Sequence, residues 1–330
     1  FVFHNYILYL IVEILLTLAT NIVISGQVDK MYPFLIRKDE LLNVEKRMVF
    51  KIVKNIFIGS LSGKITNSTD NILISILVST YEVGIYTGYS TLAMGLRKLI
   101  DQVDAATAGS VGNLMAEDDR DKCDQVLRKL TFINYFFGSL FASCLYCLSS
   151  TLVRIMYGLE YTYNADSMIG LMVVFCLCVN FFLTVLRNPL WRFMSVSGLF
   201  AKDKNISIAG SVVNLILSII LGIKFGTLGI LLGTLASLVI QIILKIRLLY
   251  TERFKINSGK YYFRFIFYSG IGIVIMLLAK FISAEIAVGS LYIDFVLKAA
   301  VSIFVPLCMN YVFFCRTEEY VYLKELMWKF

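Results

Sequence analysis

Repeated apolar stretches, each about as long as a membrane-crossing helix, constrain this chain more than any other feature. A spanning α-helix needs about 20 predominantly apolar residues, because its backbone polar groups must be hydrogen-bonded inside the hydrocarbon. Windows of this length predict about nine spans, at residues 5–25, 55–79, 84–111, 131–155, 166–188, 206–224, 227–250, 262–284 and 291–315. The sequence therefore predicts an all-α polytopic membrane protein.

The composition supports this fold class. Hydrophobic residues make up 58% of the 330 positions and charged residues only 16%, whereas soluble domains average about 45–50% and about 25%. These values exclude soluble enzymes, disordered proteins and secreted disulfide scaffolds. The second and third predicted spans carry several charges, and a strict hydropathy threshold would omit them. We include both because their polar and apolar residues alternate at helical spacing.

The basic residues predict the orientation in the membrane. Most of the 31 Lys and Arg residues fall in residues 26–54, 112–130, 187–205, 245–264 and the C-terminal tail. The alternate connections are short and hold few cations. Cytoplasmic loops carry an excess of Lys and Arg, so we expect a multi-pass protein of the cytoplasmic (inner) membrane with its C-terminus in the cytoplasm. Because the chain opens on Phe1 rather than Met, we also expect it to be a fragment or to lack its N-terminal part.

Four predicted spans carry polar and aromatic residues along one helical face. The stripes comprise Tyr6, Tyr9, Glu13, Thr17, Thr20 and Asn21; Ser60, Lys64, Asn67, Ser68, Asn71 and Ser75 beside Asp70; Tyr86, Ser90, Arg97, Asp101 and Asp104; and Asn180, Thr184, Arg187 and Trp191. Ionisable groups at bilayer depth cost about 2.5–3.5 kcal/mol each on insertion scales and therefore face one another or water. The stripes predict a hydrophilic cavity. For the third span, intrahelical pairing of Arg97 with Asp101 at i,i+4 is the alternative.

Small residues in two later spans predict close helix packing. They are Ser207, Ser211, Asn214, Ser218 and Gly222 in one span, and Gly229, Gly233 and Ser237 in the next. Two prolines, Pro189 and Pro306, predict kinks in their helices.

Nothing in the sequence points to a cofactor, a metal site or catalysis. The one histidine is His4, and the CxxC formed by Cys144 and Cys147 lies within a continuous apolar helix. Reduced, membrane-buried thiols are favoured there over a zinc or redox site. A membrane polymerase or acyltransferase would need a large outer loop or a catalytic histidine, so we expect no enzyme. A purely structural membrane protein would not need four polar stripes.

Two segments resemble a transporter family. The run TDNILISILVSTYEVGIYTGYSTL, residues 69–92, resembles the junction of the seventh and eighth helices of polysaccharide repeat-unit flippases. These are the O-antigen, capsule and exopolysaccharide transporters of the multidrug/oligosaccharidyl-lipid/polysaccharide exporter superfamily. The matching features are a membrane aspartate, Asp70, a β-branched apolar run, and a VGIY turn at 83–86. The segments GLFAKDKN, 198–205, and NLILSIILGIKFGTLGILLGT, 214–234, are similar to the tenth to twelfth helices of that family.

The resemblance implies a domain organisation. Residues 1–54 would hold the last helix of an N-terminal lobe and a cytoplasmic linker between lobes. Residues 55–250 would form a complete C-terminal lobe of six helices, and residues 251–330 two additional transmembrane helices with a cytoplasmic tail.

The resemblance also implies a function, the flipping of undecaprenyl-pyrophosphate-linked oligosaccharide repeat units across the cytoplasmic membrane by alternating access coupled to H⁺ or Na⁺. The substrate-binding or cavity candidates are Lys64, Asn67, Asn71, Tyr89, Arg97, Arg187 and Trp191. The ion-coupling candidates are Glu13, Asp70, Asp101 and Asp104. No catalytic residue, metal ligand or cofactor is implied.

The expected partners are the lipid-linked oligosaccharide, membrane lipids, a polysaccharide polymerase and glycosyltransferases, and no nucleic acid. A multidrug or cation antiporter of the same superfamily is the alternative. Such a protein would need an acidic cavity with few cations, whereas the predicted cavity includes Lys64 and Arg97.

Overall fold

The computed structural model describes residues 6–32, 43–117, 119–163, 167–286 and 291–329, apart from side chains at 6, 9, 43–45, 56, 59–60, 62–68, 291 and 327–329. Within these ranges the chain is helical with short connections and contains no strand. The helices are α1 Tyr6–Met31, α2 Asn43–Leu77, α3 Thr80–Ala106, α4 Ala108–Ala116, α5 Arg120–Tyr157, α6 Met168–Leu186, α7 Asn188–Val196, α8 Phe200–Phe225, α9 Thr227–Leu249, α10 Gly259–Ala284, α11 Leu291–Phe314 and α12 Glu318–Lys329. A π-helical turn, Tyr250–Phe254, follows α9.

Seven of the described helical segments are long and apolar enough to cross a membrane, judged by length and composition. They contain α1, α5, α6, α8, α9, α10 and α11. The protein is therefore an all-α polytopic membrane protein, as predicted. The two remaining predicted spans, 55–79 and 84–111, are largely helical but are not among these seven segments. Their crossing of the membrane stays a prediction.

The chain divides into two compact units, residues 1–53 and 54–330. The first unit contains α1, whose described residues are exposed along the whole helix. The second unit contains the remaining helices, from within α2 onward. In that unit the predicted 55–250 lobe and the predicted extra segment 251–330 pack into one body, because α10 and α11 lie directly against α5.

Helix α5 is the centre of the second unit and contacts α3, α6, α10, α11 and α12. Buried aromatic rings fill these contacts: Tyr135 stacks on Tyr268 with ring centroids 4.7 Å apart, and Phe132 meets Phe314 edge-on at 5.3 Å. Such pairs add about 0.5–1.5 kcal/mol each beyond the burial of their area. They attach α10 and α11 to the bundle.

Helices α8 and α9 form a tight antiparallel hairpin. The turn between them has Gly226 at φ +59°, a conformation that favours glycine. A Cβ atom on Gly229 would lie 2.0 Å from the carbonyl oxygen of Leu221, and one on Gly233 would lie 2.6 Å from the Ser218 nitrogen. The prediction of close packing is therefore confirmed for these glycines.

One predicted helix boundary and one predicted kink are wrong. The span predicted at 84–111 ends at Ala106, and a separate short helix, α4, begins at Ala108. Pro189 does not kink a long helix; it lies in the first turn of α7, where its missing N–H costs no hydrogen bond. Pro306 lies inside α11, and the kink expected there stays a prediction.

The hairpin geometry generates the first testable prediction. Replacing Gly229 by Ala places a methyl group against the α8 backbone, and we expect this overpacking to cost about 1–3 kcal/mol. The measurement is the thermal unfolding midpoint of the protein in detergent. Gly270→Ala in α10 is the matched control, because open space surrounds that position, and it should leave the midpoint unchanged or raise it. Equal midpoints for the two variants would contradict the packing argument.

Candidate functional site

A cavity of about 650 Å³ lies inside the second unit. Its walls come from α2, α3, α6, α7, α8 and α9. Polar and charged side chains from these helices meet there, as the stripes on the second, third and fifth predicted spans require. A cavity of this size falls within the range of small-molecule binding sites.

Five of the sequence-predicted site residues line this cavity. They are Asp70 and Asn71 from α2, Arg97 from α3, Arg187 between α6 and α7, and Trp191 from α7. The structure thus brings together residues that are up to about 120 positions apart in the chain.

Trp191 is in contact with two cations. The guanidinium carbon of Arg187 lies 4.0 Å from the centroid of the indole ring, and the Lys245 ammonium lies 4.2 Å from it. Cations are attracted to the face of an indole, more strongly when both are desolvated. The Nε of Arg187 is buried and has no hydrogen-bond partner among the described residues.

Lys245 belongs to the cavity rather than to a cytoplasmic loop. The sequence placed it at the start of the basic segment 245–264, but the residue is only 1% exposed. Its ammonium lies 2.5 Å from a carboxylate oxygen of Asp203 and donates to the Ser207 hydroxyl at 3.2 Å. Its grouping with the solvated basic segment was wrong, because Lys245 lies within the predicted span 227–250 and the packing of α9 against α7 and α8 buries it.

Asp70 belongs to a series of hydrogen-bonded polar side chains that connects three helices, α2, α9 and α8. The hydroxyl of Thr234 donates to its carboxylate at 2.9 Å, and the amide of Asn214 donates to that hydroxyl at 2.9 Å. Asp70 is 5% exposed and makes no ion pair with any described side chain. Nearby, the side-chain carbonyls of Asn71 and Asn180 are buried without hydrogen-bond partners among the described residues. Buried polar atoms normally have partners, so these carbonyls are available to water or a ligand.

Tyr89 does not line the cavity, although the sequence placed it there. It is fully buried between α3 and α5, where its hydroxyl donates to Ser150 at 3.2 Å and accepts from the Tyr163 backbone N–H at 3.2 Å. Its ring lies 5.2 Å from that of Tyr163. In this structure Tyr89 joins helices and has no free surface toward a substrate.

Asp101 and Asp104 also lie outside the cavity lining. The Asn188 amide donates to both carboxylates at 2.9 Å, and the Asn134 amide donates to Asp104 at 2.9 Å. Asp104 is 8% exposed, whereas Asp101 is more open and pairs with Arg97 at 3.5 Å. The intrahelical Arg97–Asp101 pair is therefore confirmed, and Arg97 lines the cavity as well.

The remaining candidates cannot be placed in this site. Glu13 lies in α1, in the first unit, and is exposed. The side chains of Lys64 and Asn67 lie outside the described residues, so their predicted roles stay predictions.

Residues 10–166 match the polysaccharide biosynthesis protein family. The match covers less than half of the chain and includes α2 and α3, and hence Asp70, Asn71 and Arg97. It is consistent with the resemblance to polysaccharide flippases. No curated protein matches the chain.

The sequence interpretation did not assign one wall of the cavity, the one formed by α8 and α9. Ser207 and Ser211 of α8, and Ser237 of α9, were interpreted as packing residues, yet they line the cavity. A signal was present: the polar residues of α9 recur at spacings of three or four, which places them on one helical face; they are Thr234, Ser237, Gln241 and Lys245. Gly229 and Gly233 lie in the same helix, and their small-residue spacing led to the packing interpretation of Ser237 as well.

The Asp104 contacts generate a second prediction. Asp104→Ala removes the two hydrogen bonds that this buried carboxylate accepts from the amides of Asn134 and Asn188, which should cost about 2–4 kcal/mol of folding stability. Asp101→Ala, three residues away and about half exposed, loses one hydrogen bond from Asn188 and the pair with Arg97, and should cost at most about 1 kcal/mol. Thermal unfolding in detergent measures both. If Asp104 served only to bind an ion, removing it would leave the unfolding midpoint in ion-free buffer unchanged.

Proposed function

We propose that this protein translocates undecaprenyl-pyrophosphate-linked oligosaccharide repeat units across the cytoplasmic membrane for surface polysaccharide biosynthesis. The observation that carries the proposal is the cavity, whose lining combines four cationic side chains with two carboxylates, an indole, hydroxyls and amides. The family match supports the polysaccharide context. The protein acts as a transporter and not as an enzyme.

The lining suits the two chemically different parts of such a substrate. Hydroxyls and amides such as Ser90, Asn180 and Thr234 offer the hydrogen bonds that sugars lose on leaving water. Arg97, Arg187 and other cations suit a pyrophosphate, because guanidinium groups bind phosphate oxygens with charge-assisted hydrogen bonds. The lipid tail can stay in the bilayer throughout.

The charge of the cavity favours this substrate over a drug cation. The cations Arg97, Arg187, Lys204 and Lys245 outnumber the carboxylates Asp70 and Asp203 in the described lining. A cation antiporter needs the opposite balance, because like charges inside a low-dielectric cavity repel the cargo.

Coupling to Na⁺ or H⁺ belongs to the proposal and rests on Asp70. This carboxylate is buried, is contacted by Thr234, and forms no described ion pair. An isolated buried carboxylate is costly, and a proton or a bound cation removes that cost. Its contact with Thr234 of α9, which in turn accepts from Asn214 of α8, would transmit occupancy to the walls of the cavity. Asp101 and Asp104 bind asparagines instead, so Asp70 is the stronger candidate.

The proposal includes a transport mechanism and an orientation in the membrane. Alternating access would be a rocking of this lobe against another lobe around the cavity. The C-terminus would lie in the cytoplasm, where the basic segments could meet glycosyltransferases and anionic lipid, while a polymerase would receive the product outside.

The decisive experiment uses cells, in which the native product is present. We expect depletion to cause undecaprenyl-linked oligosaccharide to accumulate on the inner leaflet, with loss of surface polysaccharide. A normal distribution between leaflets would contradict the proposal and would favour drug or cation efflux.

Complementation of the depleted cells makes the prediction residue-specific. Arg187→Met removes a buried cation from the cavity, and the lost contacts to a charged group, about 1.5–3 kcal/mol, should slow translocation about tenfold or more. Lys202→Met is the matched control, since Lys202 pairs with Glu252 outside the cavity lining. Equal rates for the two variants would remove the assigned role from Arg187.

Ion coupling generates a further prediction. Asp70→Asn keeps the hydrogen bond with Thr234 but removes the titratable, cation-binding charge. Translocation by this variant should no longer respond to imposed Na⁺ or H⁺ gradients. Asp101→Asn, outside the cavity, should retain the response. The assay compares leaflet distribution in vesicles with and without each gradient, and a persisting response in Asp70→Asn would exclude Asp70 as the coupling group.

A further inference from the structure

The two cations that share Trp191 differ in their partners. Lys245 has a carboxylate, Asp203, at 2.5 Å. Arg187 lies as close to the same ring, but the structure shows no ion pair between it and any described carboxylate. All four side chains line the same cavity. Among the described side chains, one cation is therefore paired directly with a carboxylate, while its neighbour is not.

We propose that Asp203 is an exchangeable counterion, which neutralises Lys245 in the empty cavity and is displaced when an oxyanion binds between Lys245 and Arg187. This inference rests on the proposed function, whose site it extends. It assigns Asp203 a role in specificity that the sequence did not suggest.

The exposure of the two partners determines which of them can leave. The Lys245 side chain is 2% exposed, whereas the Asp203 side chain is 28% exposed. An ammonium that lost its partner in place would carry an uncompensated buried charge, which is strongly destabilising. A carboxylate at the edge of a water-accessible cavity can rotate outward and be solvated. Exchange therefore proceeds by movement of Asp203, while Ser207 and Trp191 continue to hold Lys245.

Because a ligand must displace Asp203 from Lys245, the site favours ligands with more negative charge and more acceptor oxygens than a single carboxylate has. A simple carboxylate offers Lys245 only what Asp203 already supplies. A phosphate or pyrophosphate carries more charge and more acceptor oxygens, so it can contact Lys245 and Arg187 together. The same oxyanion chemistry is present in the pyrophosphate of a lipid carrier and in the carboxylate of an acidic sugar, and the experiment separates them.

The chain provides its own optical probe. It has two tryptophans, Trp191 and Trp328, so Trp328→Phe leaves the cavity indole as the only one. We would titrate the full chain of this variant, in lipid nanodiscs, with inorganic pyrophosphate and separately with glucuronate. Emission from Trp191 should change as an anion displaces Asp203 and alters the field around the ring.

Removing the counterion should increase binding. In the Trp328→Phe background, Asp203→Asn should bind pyrophosphate about tenfold more tightly, since coupling energies of close charge pairs reach this size. Lys245→Met should weaken binding and abolish the effect of Asp203→Asn in the double variant. Glu252→Gln is the matched control: it opens the 2.6 Å Lys202–Glu252 pair, which lies outside the cavity lining, and should leave affinity unchanged.

Unchanged or weaker pyrophosphate binding by folded Asp203→Asn would overturn the proposal. If that variant fails to fold, Lys245→Met decides the matter, because a purely structural Lys245 would leave the affinity unaltered. Glucuronate binding as tight as that of pyrophosphate would overturn the charge selection and point to an acidic sugar. Binding needs no translocation, so a protein that shows the exchange but does not flip lipid-linked sugars would refute the proposed function alone.

Discussion

The cost of placing charge in an apolar bundle governs the arrangement of this protein. A lysine or arginine at membrane depth needs a carboxylate, an aromatic face or water. Lys245 has all three types of environment within reach, since it contacts Asp203 and Trp191 and borders the cavity. Arg187 shares the indole and the cavity but forms no direct ion pair with a described carboxylate. The cavity is therefore where the bundle concentrates charges that lipid would not tolerate.

Close packing in the apolar parts of the bundle positions the helices that line the polar cavity. Aromatic stacking of Tyr135 on Tyr268 fixes α10 against α5, and the glycines at 229 and 233 bring α9 into backbone contact with α8. That close approach aligns Asp203 of one helix with Lys245 of the other. Packing density in membrane interfaces depends on such small residues, and here it also sets the distance across an ion pair.

Carboxylates that look alike in the sequence have different surroundings in the structure. Asp70 and Asp104 both lie in charged helices with polar stripes. Asp104 accepts hydrogen bonds from Asn134 and Asn188 and connects three helices. Asp70 accepts from Thr234 and faces the cavity. The spacing of residues along one helix determines which residues share a face. Whether that face packs against a neighbouring helix or borders the cavity depends on the position of the neighbouring helices.

The sequence by itself determined the fold class, because runs of about 20 apolar residues have one stable form in a bilayer. It also predicted the three stripes that meet in the cavity and the tight α8–α9 packing, since helical periodicity is a local property. It misplaced Lys245 and Tyr89, whose burial depends on residues far along the chain. Only the tertiary structure decided which polar residues share a cavity and which join helices, because that division depends on how the helices pack against one another.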